Sequence, residues 1–279
     1  MRRRRLVSLM LLWPGVAGAG QPGALPPAET EAPWTFSADL SLWYAAPGGR
    51  FFLPGEVRGG RDIDVEQLNL DSPRISPYAG LRAQRAEWSI AISAAHFSSE
   101  RETISPVSRP IGDIDITTGD TLRTDMRYTT LDALVGYTFF ARDLYAPADP
   151  GPRVRLELEG RFGARLDALD IELENLEGGA ASADEIFPSA LLGLEARLDL
   201  PGQTSLGLAL EFGGNPGLGD QTALVTDLQA VGAWRPTPNL ELHAGYRLSV
   251  LDLTAGAGIG EFKYEGSYAG LLAGLTLRF

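Results

Sequence analysis

The chain has 279 residues, 44% of them hydrophobic, and carries 24 basic against 36 acidic side chains for a formal net charge of −12. That balance argues against a nucleic-acid partner, whose phosphates recruit basic surfaces. There is no cysteine, which excludes a disulfide framework and a lipid anchor on cysteine.

Residues 1–19, MRRRRLVSLMLLWPGVAGA, put four arginines before an apolar stretch from Leu6 to Val16 and close on the small-x-small triplet Ala17-Gly18-Ala19. This is the pattern of a secretory signal cleaved after Ala19; the stretch, interrupted by Pro14, is shorter than the roughly 17 to 25 apolar residues of a membrane helix. Losing the four arginines leaves 20 basic and 36 acidic residues, a net charge of −16. Residues 20–33, GQPGALPPAETEAP, have nothing to bury and read as a disordered leader. One domain accounts for 34–279.

Beyond the signal, no run of eighteen apolar residues occurs, so helical membrane spans are excluded. Strict alternation recurs instead. It begins with Trp34, Phe36, Ala38, Leu40, Leu42 and Tyr44, weakens over Ile75 to Ala83, and returns in Trp88, Ile90, Ile92 and Ala94 and in Leu131, Ala133, Val135, Tyr137 and Phe139. The clearest case spans 153–167, with Val154, Leu156, Leu158, Phe162, Ala164 and Leu166 in one phase and mostly arginine and glutamate in the other. Further strands follow over 188–200, 206–212, 224–234, 240–250 and 271–279. Short connections at 85–87, 201–203 and 236–238, and a medium one at 141–152, alternate with longer polar ones at 45–73, 98–121, 168–185, 214–220 and 252–265. The parse is an all-β, antiparallel, up-and-down barrel of about ten strands, with eight or twelve as alternatives.

Alternation does not say which face is wet, because a soluble barrel alternates with its apolar phase inward. Here Trp34, Trp88, Tyr137, Phe139, Trp234 and Phe279 all fall at the short-turn end of the apolar phase, as in an aromatic girdle at a membrane interface. An arginine facing lipid at mid-bilayer costs about 2–4 kcal/mol. The phase holding Arg155, Glu157, Glu159, Arg161 and Arg165 is therefore expected to face the lumen. By the same phase, Glu195, Arg197, Glu211, Glu241 and Arg247 line it, joined by Asp39, Arg82, Asp132, Asp227 and Arg278. Opposite charges interspersed in a narrow barrel predict a lumen closed by salt bridges.

The last segment, GLLAGLTLRF, resembles the assembly signal of Gram-negative outer-membrane β-barrel proteins: Gly274, Leu275, Leu277 and a terminal Phe279, with Tyr268 eleven residues before the end. Leu272 departs from that pattern, where a polar residue is usual. The resemblance implies insertion into the outer-membrane lipid by the barrel-assembly machinery; it names no subfamily.

Catalytic and metal signals are sparse. Of the two histidines, His96 lies near the loop end of its strand, with Glu100, Asp125, Ser98 and Ser99 as the groups a rim protease or lipid-modifying enzyme would recruit. An interfacial histidine is the simpler reading, and His243 reads as part of a lumenal hydrogen-bond network. The acidic loops with Asp62, Asp64, Glu66 and Asp71, and with Asp113, Asp115 and Asp120, lack calcium-loop spacing. The sequence thus implies no cofactor, no metal and no catalytic residue. It predicts a structural or interactive barrel whose acidic loops meet the medium, lipid or an unidentified protein, with a narrow solute channel and a rim enzyme as alternatives.

Overall fold

The computed structural model describes residues 32–55, 62–145 and 154–279; the signal segment, most of the leader and the later part of the 141–152 connection lie outside the described residues. Ten long strands dominate: β1 (Thr35–Phe52), β2 (Arg74–Arg85), β3 (Trp88–Ile104), β4 (Thr121–Tyr145), β5 (Val154–Asn175), β6 (Ala180–Leu200), β7 (Thr204–Leu218), β8 (Gln221–Thr237), β9 (Leu240–Ala255) and β10 (Phe262–Arg278). Each pairs antiparallel with the next. β10 returns to β1 in unbroken register from Ser37 opposite Arg278 to Phe52 opposite Lys263. Closure leaves no edge strand with unpaired backbone groups, which a bilayer would not tolerate.

Along the lower part of every strand the apolar phase points outward. Leu40, Leu42 and Tyr44 on β1 and Ile90 and Ile92 on β3 are about half exposed, as are Leu206, Leu208 and Leu210 on β7. Trp34, Trp88, Tyr137, Phe139, Trp234 and Phe279 are exposed at the short-turn end, where the Trp88 and Tyr137 rings stand 4.9 Å apart. A bulge between Thr138 and Phe140 leaves Phe139 without a cross-strand partner and turns both phenylalanines outward. Higher on the wall, Tyr44 and Tyr246 flank Leu271 of β10 at one level, on the far side of the belt.

The long connections of the opposite end differ from the sequence expectation. Residues 168–185 and 214–220 are almost wholly strand, turning at 176–179 and 219–220, and β1, β3, β9 and β10 all run on into segments read as loops. The reason lies in the inward phase, which runs unbroken along β5 and β9 while its chemistry changes. On β5 the inward residues are charged up to Asp167; Leu169, Ile171 and Leu173 then follow at 0% exposure, while Asp170, Glu172 and Glu174 face out. β9 does the same: Glu241, His243 and Arg247 inward, then Leu251 and Leu253, with Asp252 outward. Above the apolar belt the barrel stands in water and follows the soluble rule.

This outer half is filled. Segment 62–70, with a short strand at Ile63–Asp64 and a 3-10 turn at Val65–Leu68, inserts Ile63, Val65, Leu68 and Leu70 into it, all at 0% exposure. The 3-10 turn ends on Asn69 in the left-handed region at φ 53°, a conformation asparagine tolerates. A hairpin of Arg109–Ile111 and Ile114–Ile116 adds Ile111, Ile114 and Ile116.

Inside and outside therefore carry different energetic weight in the two halves. Leu253→Ala, at 0% exposure in the outer core, is expected to destabilise by about 2–5 kcal/mol. Leu192→Ala, 68% exposed on the belt, should cost far less in detergent micelles, which still cover it. Urea unfolding of the refolded barrel measures both, and equal losses would contradict the two-tier interior.

Candidate functional site

The lower lumen is a column of ion pairs built because inward positions of neighbouring and opposing strands converge. At its top, Arg165 of β5 has a side chain at 0% exposure and bridges two walls. Its Nε and Nη2 donate to Asp132 on neighbouring β4 at 2.5 and 3.0 Å, and its Nη1 reaches Asp227 of β8 at 3.4 Å. Asp227 also takes a forked pair from Arg247 of β9, at 3.1 Å from Nε and 2.7 Å from Nη2. Below, Glu159 accepts from Arg82 of β2, from Arg161 Nε at 3.0 Å and from Ser89 at 3.1 Å, and Glu195 pairs with Arg82 and Arg161. Nearest the short turns, Glu241 gathers Arg197 at 3.2 Å, Arg235 at 3.3 Å and Arg278 at 2.5 Å, and Asp199 holds Arg235 at 2.5 Å. Arg155 is exposed and pairs with Glu157 at 2.8 Å near the rim. Planar guanidinium forks suit this task, since each reaches carboxylates on two walls at once.

An ionic inside and an apolar outside settle the solvent. The chain is a membrane-spanning β-barrel of the outer-membrane type. Isolated charges in so narrow a bore would be costly to desolvate, and the pairing offsets that cost.

Above the ionic column lies an aromatic septum that sequence reading missed. Trp43, Phe97, Tyr128, Tyr264 and Tyr268 are buried together; Tyr128 and Tyr268 stack at 4.5 Å and Phe97 meets Tyr268 edge-on at 5.1 Å. Tyr128 donates to Asp167 Oδ1 at 2.7 Å, tying septum to column. Leu272, the departure from the terminal pattern, is 2% exposed and joins this cluster; at that height the interior is apolar, so leucine fits. Gly274 sits where a Cβ would collide with Ser41 Oγ and the Leu40 carbonyl, a close approach only glycine permits. Leu275 and Leu277 lie in the outward phase beside it.

The candidate catalytic residues divide between the two faces of the wall, with Ser98 exposed on the side of His96. His96 points outward and its Nδ1 meets Thr129 Oγ1 at 2.9 Å, while Ser99 points inward and is buried. Glu100 is held by Arg123 and Asp125 by Arg127. His243 lies in the lumen, its Nε2 2.9 Å from Ser41 Oγ and 3.4 Å from Asp39. Among the loop acids, Asp62 pairs with Arg50 at 3.4 Å, and Asp120 accepts from Asn175 and from the Thr117 amide. Asp64, Glu66, Asp71, Asp113 and Asp115 are exposed. No group of three or more potential metal ligands occurs among the described residues.

No family model matches the chain, and no curated protein matches it. Among solved structures it is similar to the outer membrane protease OmpT from Escherichia coli, at 11% identity and TM-score 0.45 over 88% of this chain and 97% of that one. It is also similar to Neisserial surface protein A, at 15% identity and TM-score 0.34 over 90% and 100% of the two chains. A third is the translocator domain of the autotransporter NalP from Neisseria meningitidis, at 14% and 0.35 over 90% of each. At these scores the likeness adds nothing to what the strand register already shows.

Two predictions follow from the ion pairs. Asp227→Ala strands Arg247 in the lumen, while Arg165 keeps Asp132, and should destabilise by about 3–5 kcal/mol, whereas Arg155→Ala, in an exposed pair, should cost under about 1 kcal/mol; urea midpoints compare them. On the outer rim, hydrogen bonds from Lys263 and then Arg50 hold the Glu265 carboxyl below its ordinary range. A depressed folded pKa stabilises the fold above the unfolded value of about 4.3 and that contribution disappears as pH falls through the folded pKa. Carboxyl-resolved NMR titration should place the Glu265 midpoint below 4.3, and removal of Lys263 by alanine substitution should raise it.

Proposed function

We propose that this protein is a non-conducting outer-membrane barrel that anchors a folded, acid-rimmed cap on the long-strand side of the bilayer, with a structural or interactive role. One observation carries the reading: two successive seals cross the bore. The Arg165 column is the first, and the septum with the inserted segment 62–70 and the 109–116 hairpin is the second. A pore for small solutes needs a continuous wet path, and barrels of about eight strands have only enough interior for side chains. The cap presents Asp170, Glu172, Glu174, Asp184 and Asp252 outward, with Arg123 and Arg127 already committed to carboxylates. Such a surface favours a partner bearing positive charge and disfavours bare anionic surfaces.

The refolded protein should show heat-modifiable migration on a denaturing gel, fractionate with outer membranes and give no steady unitary currents in a planar bilayer. Steady unitary conductance would overturn the sealed-barrel reading, and recovery of the protein as a soluble periplasmic species would overturn its placement.

A further inference from the structure

Every strand of the barrel has two neighbours, but two of the ladders stop well before the strand tips. Between β2 and β3 the last pair is Tyr78 opposite Ala95, and between β6 and β7 it is Ala190 opposite Gly214. Continued upward, the two registers set Pro77 against His96 and Pro188 against Pro216. Proline has no N–H to give a ladder, so the pairing ends there.

The wall therefore divides in the half of the barrel that stands in water. β3, β4, β5 and β6 stay paired nearly to their tips, with Ile104 opposite Thr121, Leu122 opposite Asn175 and Glu174 opposite Ala180. Among the described residues, the outer sides of β3 above Ala95 and of β6 above Ala190 carry no ladder. The β3 side is crossed by the inserted segment, whose Asn69 Nδ2 donates to Thr103 Oγ1 at 2.8 Å. The β6 side is different. β7 ends at Leu218, which the same register sets opposite Ile186, and Gln221 at the start of β8 donates to Glu185 at 3.0 Å. Ala180 to Asp184 rise above both. Beside them lies a pocket of about 330 Å³, with Ala180, Ala181 and Ser182 on one wall and Pro54, Gly55 and Gly260 on another. Walls this small let another backbone approach to the roughly 4.8 Å that ladder hydrogen bonds require.

We propose, resting on the reading of the cap as an interaction surface, that Ala180–Asp184 is a strand-addition site on which an extended basic segment of another protein continues the sheet of β6. Backbone hydrogen bonds hold the segment, and its alternate side chains decide which segment fits. Its outward side chains run beside Ala180, Ser182 and Asp184, and its inward ones beside Ala181 and Ala183. Exposed Asp184, with Asp113 at the pocket wall, selects lysine or arginine outward, and the pocket takes a small aliphatic side chain inward. A second copy of this chain fits less well, because it would bring two acidic edges together.

Fluorescence anisotropy of a labelled acetyl-KVKVK-amide peptide with the refolded barrel in neutral detergent, using empty micelles as the blank, tests this. Binding should saturate. Successive N–H groups of a strand point to opposite sides, so N-methylation of both valines or of all three lysines removes the bonds to β6 in one peptide and spares them in the other. The two methylated peptides should differ in affinity at least tenfold. Asp184→Lys should weaken the parent peptide at least tenfold while keeping the heat-modifiable shift, and Asp184→Ser should weaken it in the same direction if the lysine variant fails to fold. No saturable binding, equal binding of the two methylated peptides, or unchanged affinity in the folded Asp184 variant would each overturn the strand-addition site. None of these results bears on the sealed barrel, which only steady unitary conductance overturns.

Discussion

A β-strand alternates its side chains between two faces, and in a closed barrel that phase cannot slip without carrying every residue of the strand to the wrong side. The whole molecule depends on this fixed alternation meeting a solvent that changes along the barrel axis. Where lipid surrounds the wall, apolar residues face out and ions face in. Where water surrounds it, the same phase holds Leu169, Ile171 and Leu173 inside and Asp170, Glu172 and Glu174 outside. One sequence rule thus yields two opposite interiors, and the plane in which they meet runs through Tyr128, Asp167 and Trp43.

The two interiors are stabilised by unlike forces. The outer core gains from removing aliphatic and aromatic surface from water, at roughly 25 cal/mol per Å². The ionic column gains little net free energy, because each pair must offset its own desolvation. Its contribution is the penalty on any arrangement that separates the partners, which fixes how strands far apart in sequence face one another. Arg165 joins β4, β5 and β8 in this way, and Arg82 joins β2 to β5 and β6. The hydrogen-bonded wall sets which strands are neighbours; these arginines set what stands opposite.

Most of the wall was legible in the sequence because period two is a local signal and a strand of fifteen residues repeats it many times. The ten strands, their outward phase and the charged lining of 155–165 all follow from it. The outer half was not legible as strand, since a polar-looking stretch such as DALDIELEN reads as a loop once the apolar phase is assumed to be the outward one. The missed signal was that alternation continues through 167–175 with its chemistry reversed. The septum was hidden for a different reason: Trp43, Phe97, Tyr128 and Tyr268 come from four strands, and only closure brings them together.

Charge is partitioned by the same logic. In the lumen, acids and arginines must balance closely, because an excess of either sign would stand unpaired in a narrow bore. The outer surface is under no such constraint: water screens Glu172 and Asp184, and their neighbours need not neutralise them. The strongly negative net charge of the chain is therefore a statement about the cap and not about the lumen. It follows that substitutions altering net charge on the cap should leave the fold intact and change what the outer face attracts, whereas a single uncompensated change inside alters the fold before it alters anything else. The acidic excess can vary freely only on the outer surface, where each carboxylate keeps its water.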